Sequence, residues 1–185
     1  MTIMGLPSKE EEVLKLFFNE PSRQWRFKDI IGKAGISRQQ ANKWLKRLAR
    51  QNIIIHIKNK GRMPYFEANF ENPDYKNSKK LFALNLLNKS GFLAHLQKLK
   101  KASTVIIFGS FTRADWHKGS DIDVFILGSA AGLDAASYWK KLGHEVEKHI
   151  FKGEKELKAI KSGLLKNILD GYLVRGSMID LARFA

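Results

Sequence analysis

The sequence contains no cysteine, only four prolines and no long uninterrupted run of apolar residues. The absence of cysteine excludes disulfides, zinc–thiolate sites, iron–sulfur clusters and a cysteine nucleophile. No apolar run approaches the roughly 18 residues that a membrane-spanning helix needs, and the first residues lack the charged head and apolar stretch of a signal peptide. We therefore expect a soluble, cytoplasmic protein that does not bind a membrane.

Acidic residues are scarce in one part of the chain. The 185 residues carry a net charge of +15, yet residues 105–185 are nearly balanced, with 12 basic and 10 acidic side chains. Residues 1–70 have 14 basic and 6 acidic side chains, and residues 71–104 have 7 and 2. This asymmetry predicts a polyanion-binding part joined to a part with another task. A hydrophobic content of 44% excludes a disordered chain.

Hydrophobic periodicity predicts helices and then a hairpin in the first 70 residues. Ser37 and Gln40 have the spacing of a capping box, which predicts that a helix begins after Ser37. Gly35 is expected to end the helix before it. The predicted elements are helices over 8–19 (with Ser8 as N-cap) and 27–34, a third helix after Ser37, and strands over 53–58 and 65–69 joined by a turn at 59–62.

This order of elements resembles a winged helix-turn-helix domain over residues 1–70, and the resemblance implies binding to DNA. The residues expected to contact DNA are polar or basic and carry no negative charge. They are Arg38, Gln39, Gln40, Asn42, Lys43, Lys46 and Arg47 on the third helix and Lys58, Lys60 and Arg62 on the hairpin. Two alternatives remain: a small helical domain whose charges face water, and a protein-interaction module.

Residues 71–77 are expected to form a linker, because Asn, Pro and Asp cluster there. A helical pattern follows over 78–101, with Gly91 as a possible break. A further helix is expected over 154–169, followed by a short apolar run at 172–174.

A predicted strand followed by glycine and serine is the first indication of a ligand-binding site. The apolar residues 105–108 precede Gly109 and Ser110. Glycine lets the backbone approach a ligand closely, and a helix that starts at this point would direct free N–H groups toward an anion. Arg113 lies three residues further on and is placed to reach the same phosphate.

Two aspartates in the next predicted strand are the second sign. Asp121 and Asp123 alternate with Ile122 in a strand over 121–127, so their side chains are expected on one face. Two carboxylates held this close repel each other, and a divalent cation relieves the repulsion. Oxygen ligands suit Mg²⁺, and two such ions can be held by this pair and one further carboxylate.

Together these residues resemble the minimal nucleotidyltransferases of the DNA-polymerase-β-like superfamily. The shared pattern is an apolar strand, Gly109-Ser110, Arg113, and Ser120 before Asp121-Ile122-Asp123; the likeness extends over about 80–185. The resemblance implies transfer of a nucleoside monophosphate, AMP from ATP in the first instance, with two Mg²⁺ ions and a short mixed sheet covered by helices. Gly109, Ser110, Arg113 and Ser120 would bind the nucleotide.

The resemblance also implies a third carboxylate on a following strand. Strand alternation over 143–151 places Glu145, Glu147 and His149 on one face. Glu147 matches the family position best, and Glu145 is the alternative. Asp121, Asp123 and Glu147 are thus the predicted catalytic residues and metal ligands.

The predicted fold class is α+β: a winged helix-turn-helix over 1–70, then a nucleotidyltransferase-like domain over 78–185. Two functions follow. The first is a nucleotidyltransferase tethered to a DNA-binding domain, with a protein hydroxyl or a nucleic-acid end as acceptor; the resemblance makes a HEPN-type toxin one possible protein acceptor. The second is a transcriptional regulator whose C-terminal domain is inactive and serves nucleotide sensing or homodimer formation.

Overall fold

The computed structural model describes residues 9–182 and Phe184. The predicted N-cap Ser8 lies outside these residues. The chain divides into two compact units, Met1–Lys79 and Lys80–Ala185.

The helices and strands of the described residues confirm the predicted α+β class. The helices are α1 Lys9–Asn19, α2 Phe27–Ala34, α3 Arg38–Arg50, α4 Pro73–Lys89, α5 Phe92–Gln97, α6 Ser110–Arg113, α7 Trp139–Leu142, α8 Glu154–Lys158, α9 Ser162–Leu169 and α10 Ile179–Ala182. The strands are β1 Ile54–Ile57, β2 Tyr65–Ala68, β3 Ala102–Phe108, β4 Ile122–Gly128, β5 Val146–Phe151 and β6 Tyr172–Arg175.

The first unit consists of α1 to α3 and an antiparallel β1–β2 hairpin. Gly35 ends α2 in the left-handed conformation (φ 59°), which glycine adopts without a steric cost. The predicted capping box of α3 is present: the Ser37 hydroxyl accepts the Gln40 N–H, and the Gln40 side chain accepts the Ser37 N–H. Trp25 pairs with Phe66 through two backbone hydrogen bonds, and so fastens the chain before α2 to the hairpin.

Helix α4 begins earlier than the sequence pattern predicts. Pro73 occupies the first turn, where its missing N–H is not needed, and the Asn72 side chain accepts the Asp74 N–H. Most of the expected linker 71–77 is therefore helical, and the division between the two units falls within α4. Gly91 (φ 79°) separates α4 from α5, as the sequence predicts.

A mixed four-stranded sheet forms the centre of the second unit, in the order β5-β4-β3-β6. Strand β3 is antiparallel to β4 and β6, whereas β4 and β5 are parallel. The parallel pair requires a crossover, which the chain makes through a 3₁₀ turn at Ala136–Tyr138 and α7. The sheet is buried along β3 and β4, whose residues are mostly inaccessible on both faces.

One face of this sheet packs against the last helices. Its core consists of apolar side chains from β3, β4, α8, α9 and α10: Ile106, Phe108, Phe125, Leu157, Ile168 and Leu181. Phe108 lies opposite Asp123 in the β3–β4 register. Because Asp123 is two residues before Phe125, it lies on the same face, at the end where the apolar core stops.

The single helix expected over 154–169 is instead two helices, α8 and α9. Lys161 has extended backbone angles (φ −61°, ψ 137°), which interrupt the helical hydrogen bonding between them. The amphipathic pattern continues across this break because both helices supply residues to the same core, Leu157 from α8 and Ile168 from α9. Periodicity alone therefore did not reveal the break.

Within the described part of the chain, every helix is too short or too polar to cross a membrane.

Candidate active site

The turn after β3 brings the backbone of Gly109 against a carboxylate. Gly109 has φ 77°, and a Cβ built on it would overlap Oδ2 of Asp123 and lie 3.0 Å from its Cγ. Both the backbone angle and the contact require glycine here. The Gly-Ser signal is thus explained in part by the close approach of Asp123.

The register of the parallel β4–β5 pair places Asp123 beside Glu147. The two residues are direct partners, so their side chains leave neighbouring strands on the same face. The Asp123 side chain is 24% exposed and that of Glu147 is 57% exposed. One carboxylate is therefore mostly shielded, whereas the other opens to solvent.

His149 completes this group. Its Nε2 lies 3.2 Å from Oδ1 of Asp123 and 3.8 Å from Oε1 of Glu147. Its ring meets the ring of Phe108 edge-on, with the centroids 5.0 Å apart. One ligand atom from each of Asp123, Glu147 and His149 lies within 4.8 Å of the others, a grouping that could hold a metal ion.

This group fits a divalent ion by the chemistry of its donors. Two carboxylates supply the hard oxygen ligands that Mg²⁺ and Mn²⁺ prefer, and the imidazole adds a nitrogen. The open side at Glu147 leaves coordination positions for water or a phosphate oxygen.

Asp121 and Glu145 stand apart from this group. Asp121 is exposed, lies one residue before β4 and falls outside the cluster formed by the described side chains. Glu145 is exposed as well, and its carbonyl accepts the N–H of Ile122. Of the two candidates for the third carboxylate, Glu147 is the one that lies with Asp123.

Arg113 is held by its neighbours at the end of α6. Its Nε donates to Asp115 at 2.9 Å, and its Nη1 donates to Asn167 of α9 at 3.3 Å. The Arg113 side chain is 45% exposed. These contacts limit the orientations of the guanidinium, and Asp115 offsets part of its charge.

The loop after α6 is ordered by short hydrogen bonds. Ala114 adopts a left-handed backbone (φ 64°), the conformation that a glycine would favour at this position. The Ser120 hydroxyl accepts the His117 N–H, and Nδ1 of His144 lies 2.7 Å from the Ser120 carbonyl oxygen. Ser120 therefore shapes the approach to β4 through its own hydrogen bonds. Ser110, at the start of α6, is half-buried.

The polar side chains predicted to contact DNA are exposed in the first unit. Two of them also have structural partners: Gln40 belongs to the capping box, and Arg47 forms an ion pair with Glu10 of α1. On β1, His56 stacks on Phe66, with ring centroids 4.1 Å apart. Burial, and then the positive charge of Lys58, lower the pKa of His56.

Sequence reasoning left His149 between contact with substrate and a structural role, and it gave no role to Asp115 or Asn167. The alternation of Glu147 and His149 along β5 was a usable signal for the histidine. Asn167 could not be found in this way, because its contact with Arg113 depends on how α9 packs beside α6. Asp115 is only two residues from Arg113, so that ion pair is a local one.

Comparisons with known proteins identify the second part of the chain. Residues 90–170 match the family model of the nucleotidyltransferase domain, so this part is a nucleotidyltransferase domain. No curated protein matches the chain. Two solved structures are similar. One, described as a toxin-antitoxin with AMP-PNP, is 22% identical over 59% of this chain and 81% of that chain, with a TM-score of 0.34. The other, a mutant of the toxin-antitoxin MntA-HpeT, is 19% identical over 57% and 80%, with a TM-score of 0.33.

Proposed function

Because residues 90–170 are a nucleotidyltransferase domain, we propose that the protein transfers a nucleoside monophosphate, AMP from ATP, to a hydroxyl group of a protein or nucleic acid. The observation that carries the proposal is the pairing of Asp123 and Glu147 across β4 and β5, beside the Gly109 turn. Metal-binding carboxylates next to a backbone turn that admits a phosphate are the parts that nucleotidyl transfer needs.

Asp123 and Glu147 would hold the divalent ion, and the exposed Asp121 would reach a second ion carried by the nucleotide. When bound, the ions supply Lewis-acid stabilisation of the phosphate charge. The role of the protein is to position the ions. Strand β4 is mostly buried on both faces, so the Asp123 carboxylate has little freedom to move.

The triphosphate would lie along the turn from Gly109 to Arg113. The backbone N–H groups there and the Ser110 hydroxyl can donate hydrogen bonds to phosphate oxygens, and the Arg113 guanidinium offers a positive charge. Asp115 and Asn167 hold that guanidinium in place before the nucleotide binds. Ser120 would contribute by fixing the loop that leads to Asp121.

In the transfer itself, the acceptor oxygen forms a bond to the α-phosphorus while the bond to the pyrophosphate oxygen breaks. The acceptor's proton passes to a carboxylate oxygen of the site and from there to solvent, and pyrophosphate leaves. Glu147 is the more exposed carboxylate and therefore has the easier exchange with solvent.

The acceptor we propose is a tyrosine, serine or threonine hydroxyl of a partner protein, such as a HEPN-type toxin. A nucleic-acid end is the other candidate, because residues 1–104 carry most of the excess positive charge. The two kinds of acceptor can be distinguished with a labelled nucleotide, because the label would end up on protein in one case and on nucleic acid in the other.

The test is transfer of label from α-³²P-ATP to candidate acceptors, with Mg²⁺ or Mn²⁺ present. We expect Asp123→Ala and Glu147→Gln to lower the transfer rate by about 100-fold or more, because each removes a charged ligand of the ion. Glu145→Gln is the matched control, since it makes the same change two residues away and outside the cluster.

Equal rates for the wild type and Asp123→Ala would overturn the transferase proposal. A loss in Glu145→Gln and not in Glu147→Gln would reassign the third carboxylate to Glu145. Binding of ATP without turnover would favour the second function, nucleotide sensing by an inactive domain.

We also propose that the first unit is a winged helix-turn-helix that binds DNA, which would make the protein a transcriptional regulator as well. The basic and amide side chains of α3 support this proposal, because they are exposed and α3 contains no acidic residue. The lysines and the arginine predicted to contact DNA from the hairpin are exposed as well. Phosphate contacts by such side chains would position the domain, and contacts to base edges would give it specificity.

A gel-shift series over increasing salt tests this second role. We expect binding to weaken steeply with salt, and the slope of log K against log salt to fall by about one unit when Arg38 or Lys43 is replaced by alanine. Lys98→Ala removes one charge from α5's C-terminal end in the other unit and serves as control. Binding that is unchanged by salt would contradict phosphate-driven attachment.

A further inference from the structure

We infer that His149 is the third protein ligand of the divalent ion, and that the site therefore prefers a first-row transition ion such as Mn²⁺ over Mg²⁺. The inference rests on one part of the proposed function, namely that Asp123 and Glu147 bind a divalent ion. It concerns which atoms bind the ion and does not depend on the acceptor or on turnover.

The three residues bring their ligand atoms close to the distances found within a coordination sphere. Nε2 of His149 lies 3.2 Å from Oδ1 of Asp123 and 3.8 Å from Oε1 of Glu147, and one ligand atom of each residue lies within 4.8 Å of those of the other two. Metal–ligand bonds of about 2.1 Å in an octahedral site separate neighbouring ligands by about 3.0 Å and opposite ligands by about 4.2 Å. Small side-chain rotations would suffice to place one ion between the three groups.

The imidazole is also held in the orientation that a ligand needs. The His149 side chain is 23% exposed, and the edge-on contact with Phe108 restricts rotation of its ring. Nε2 points at both carboxylates from the same strand that supplies Glu147. This position of Nε2 allows it either to bind an ion held by the two carboxylates or to donate a hydrogen bond to Asp123.

The donor set decides which ion binds best. Mg²⁺ prefers oxygen and retains several waters, whereas imidazole nitrogen suits first-row transition ions. A site with one nitrogen and two carboxylates gains more from His149 when it holds Mn²⁺ than when it holds Mg²⁺. The alternative is that Nε2–H only donates a hydrogen bond to Asp123, in which case the histidine positions a ligand and never contacts the ion.

Electron spin echo envelope modulation of Mn²⁺ bound to the nucleotide-free, full-length protein separates these alternatives. We expect modulation from a directly bound imidazole nitrogen, and we expect it to change when the protein is produced with ¹⁵N-histidine. This measurement on the unmodified sequence does not depend on the folding of any variant. Bound Mn²⁺ without histidine nitrogen coupling would overturn the inference.

Affinities measured by calorimetry give a second readout. We expect His149→Ala to weaken Mn²⁺ binding by about tenfold or more and Mg²⁺ binding by about threefold or less. His117→Ala is the matched control, because it removes an exposed imidazole of the loop between Arg113 and Asp121, outside the cluster. Loss of nitrogen coupling in His117→Ala, or equal losses for both ions in His149→Ala, would contradict the assignment.

The outcomes also separate this inference from the proposed function. Nitrogen coupling in a protein that transfers no nucleotide to any acceptor would leave the metal ligand in place and remove the transferase proposal. Transfer that depends on Asp123 and Glu147, in a protein whose bound Mn²⁺ shows no histidine coupling, would keep the transferase and remove the ligand.

Discussion

The backbone of Gly109 lies directly against the carboxylate of Asp123, so closely that residue 109 has no room for a side chain. A Cβ there would overlap Oδ2 of Asp123, and the φ of 77° already disfavours any other residue. The turn that would receive the phosphates therefore lies in direct contact with the side chain that would hold the metal ion.

Gly109→Ala tests that contact. We expect the methyl group to displace the Asp123 carboxylate, lower metal affinity and transfer rate by about 100-fold, and destabilise the domain by about 1–3 kcal/mol. Metal titration calorimetry and the α-³²P-ATP assay measure the first two effects. Gly132→Ala is the control, since Gly132 also has a positive φ (92°) but no atom lies within 4 Å of its added Cβ. Comparable metal affinity in the two variants would contradict the importance of the contact.

Arg113→Gln tests the proposed role of the guanidinium. We expect the KM for ATP to rise by about tenfold and kcat to change much less, because the side chain would bind the phosphates in the ground state and the transition state alike. Steady-state kinetics separate the two constants. Arg175→Gln is the control, since Arg175 of β6 donates to the Gln97 carbonyl, away from Gly109. An unchanged KM in Arg113→Gln would remove this residue from the nucleotide site.

Tyr75→Phe tests a buried hydrogen bond in the first unit. The Tyr75 hydroxyl donates to the Phe17 carbonyl oxygen at 3.1 Å, and Tyr75 is only 1% exposed. Removal of the hydroxyl leaves that carbonyl without this donor, so we expect the free energy of unfolding to fall by about 1 kcal/mol. Urea denaturation measures it, with Tyr65→Phe on the hairpin as control. A change below the error of the measurement would mean that water replaces the donor.

The same tyrosine predicts how the unit responds to alkaline pH. Burial raises the pKa of Tyr75 above its usual value of about 10. Because the folded state holds this proton more tightly than the unfolded state, its contribution to stability is complete below pH 10 and is lost as the pH rises further. We expect the wild type to lose more stability than Tyr75→Phe between pH 9 and pH 11, each measured by urea denaturation. Parallel losses in the two proteins would show that other groups control alkaline unfolding.

Local signals in the sequence were sufficient for the helices around Gly35 and for the turn at the site. Helix α2 has its predicted bounds, Gly35 ends it, and Ser37 caps α3, because each of these features depends on residues a few positions apart. The Gly109–Ser110 turn between two apolar strands was readable for the same reason.

The pairing of strands could not be read in this way. Alternation indicates which residues of one strand share a face, but it does not say which strand lies beside it, in which direction or in what register. The pairing of Asp123 with Glu147 depends on the direction and the register in which β5 lies beside β4. For the same reason alternation alone placed both Glu145 and Glu147 on the candidate face, and the choice of Glu147 came from the family resemblance. Alternation also grouped Asp121 with Asp123.

Because β5 lies at the edge of the sheet, binding of an ion is expected to reduce the local opening of this strand. Among the described strands, the one that carries Glu147 and His149 has hydrogen bonds to one neighbour only, whereas Asp123 lies on the interior strand β4. An ion that bridges the two strands fastens the outermost one to the interior, so ligand binding should slow amide hydrogen exchange along β5 more than along β3. Occupancy of the site could then be followed residue by residue in the exchange rates of a single strand.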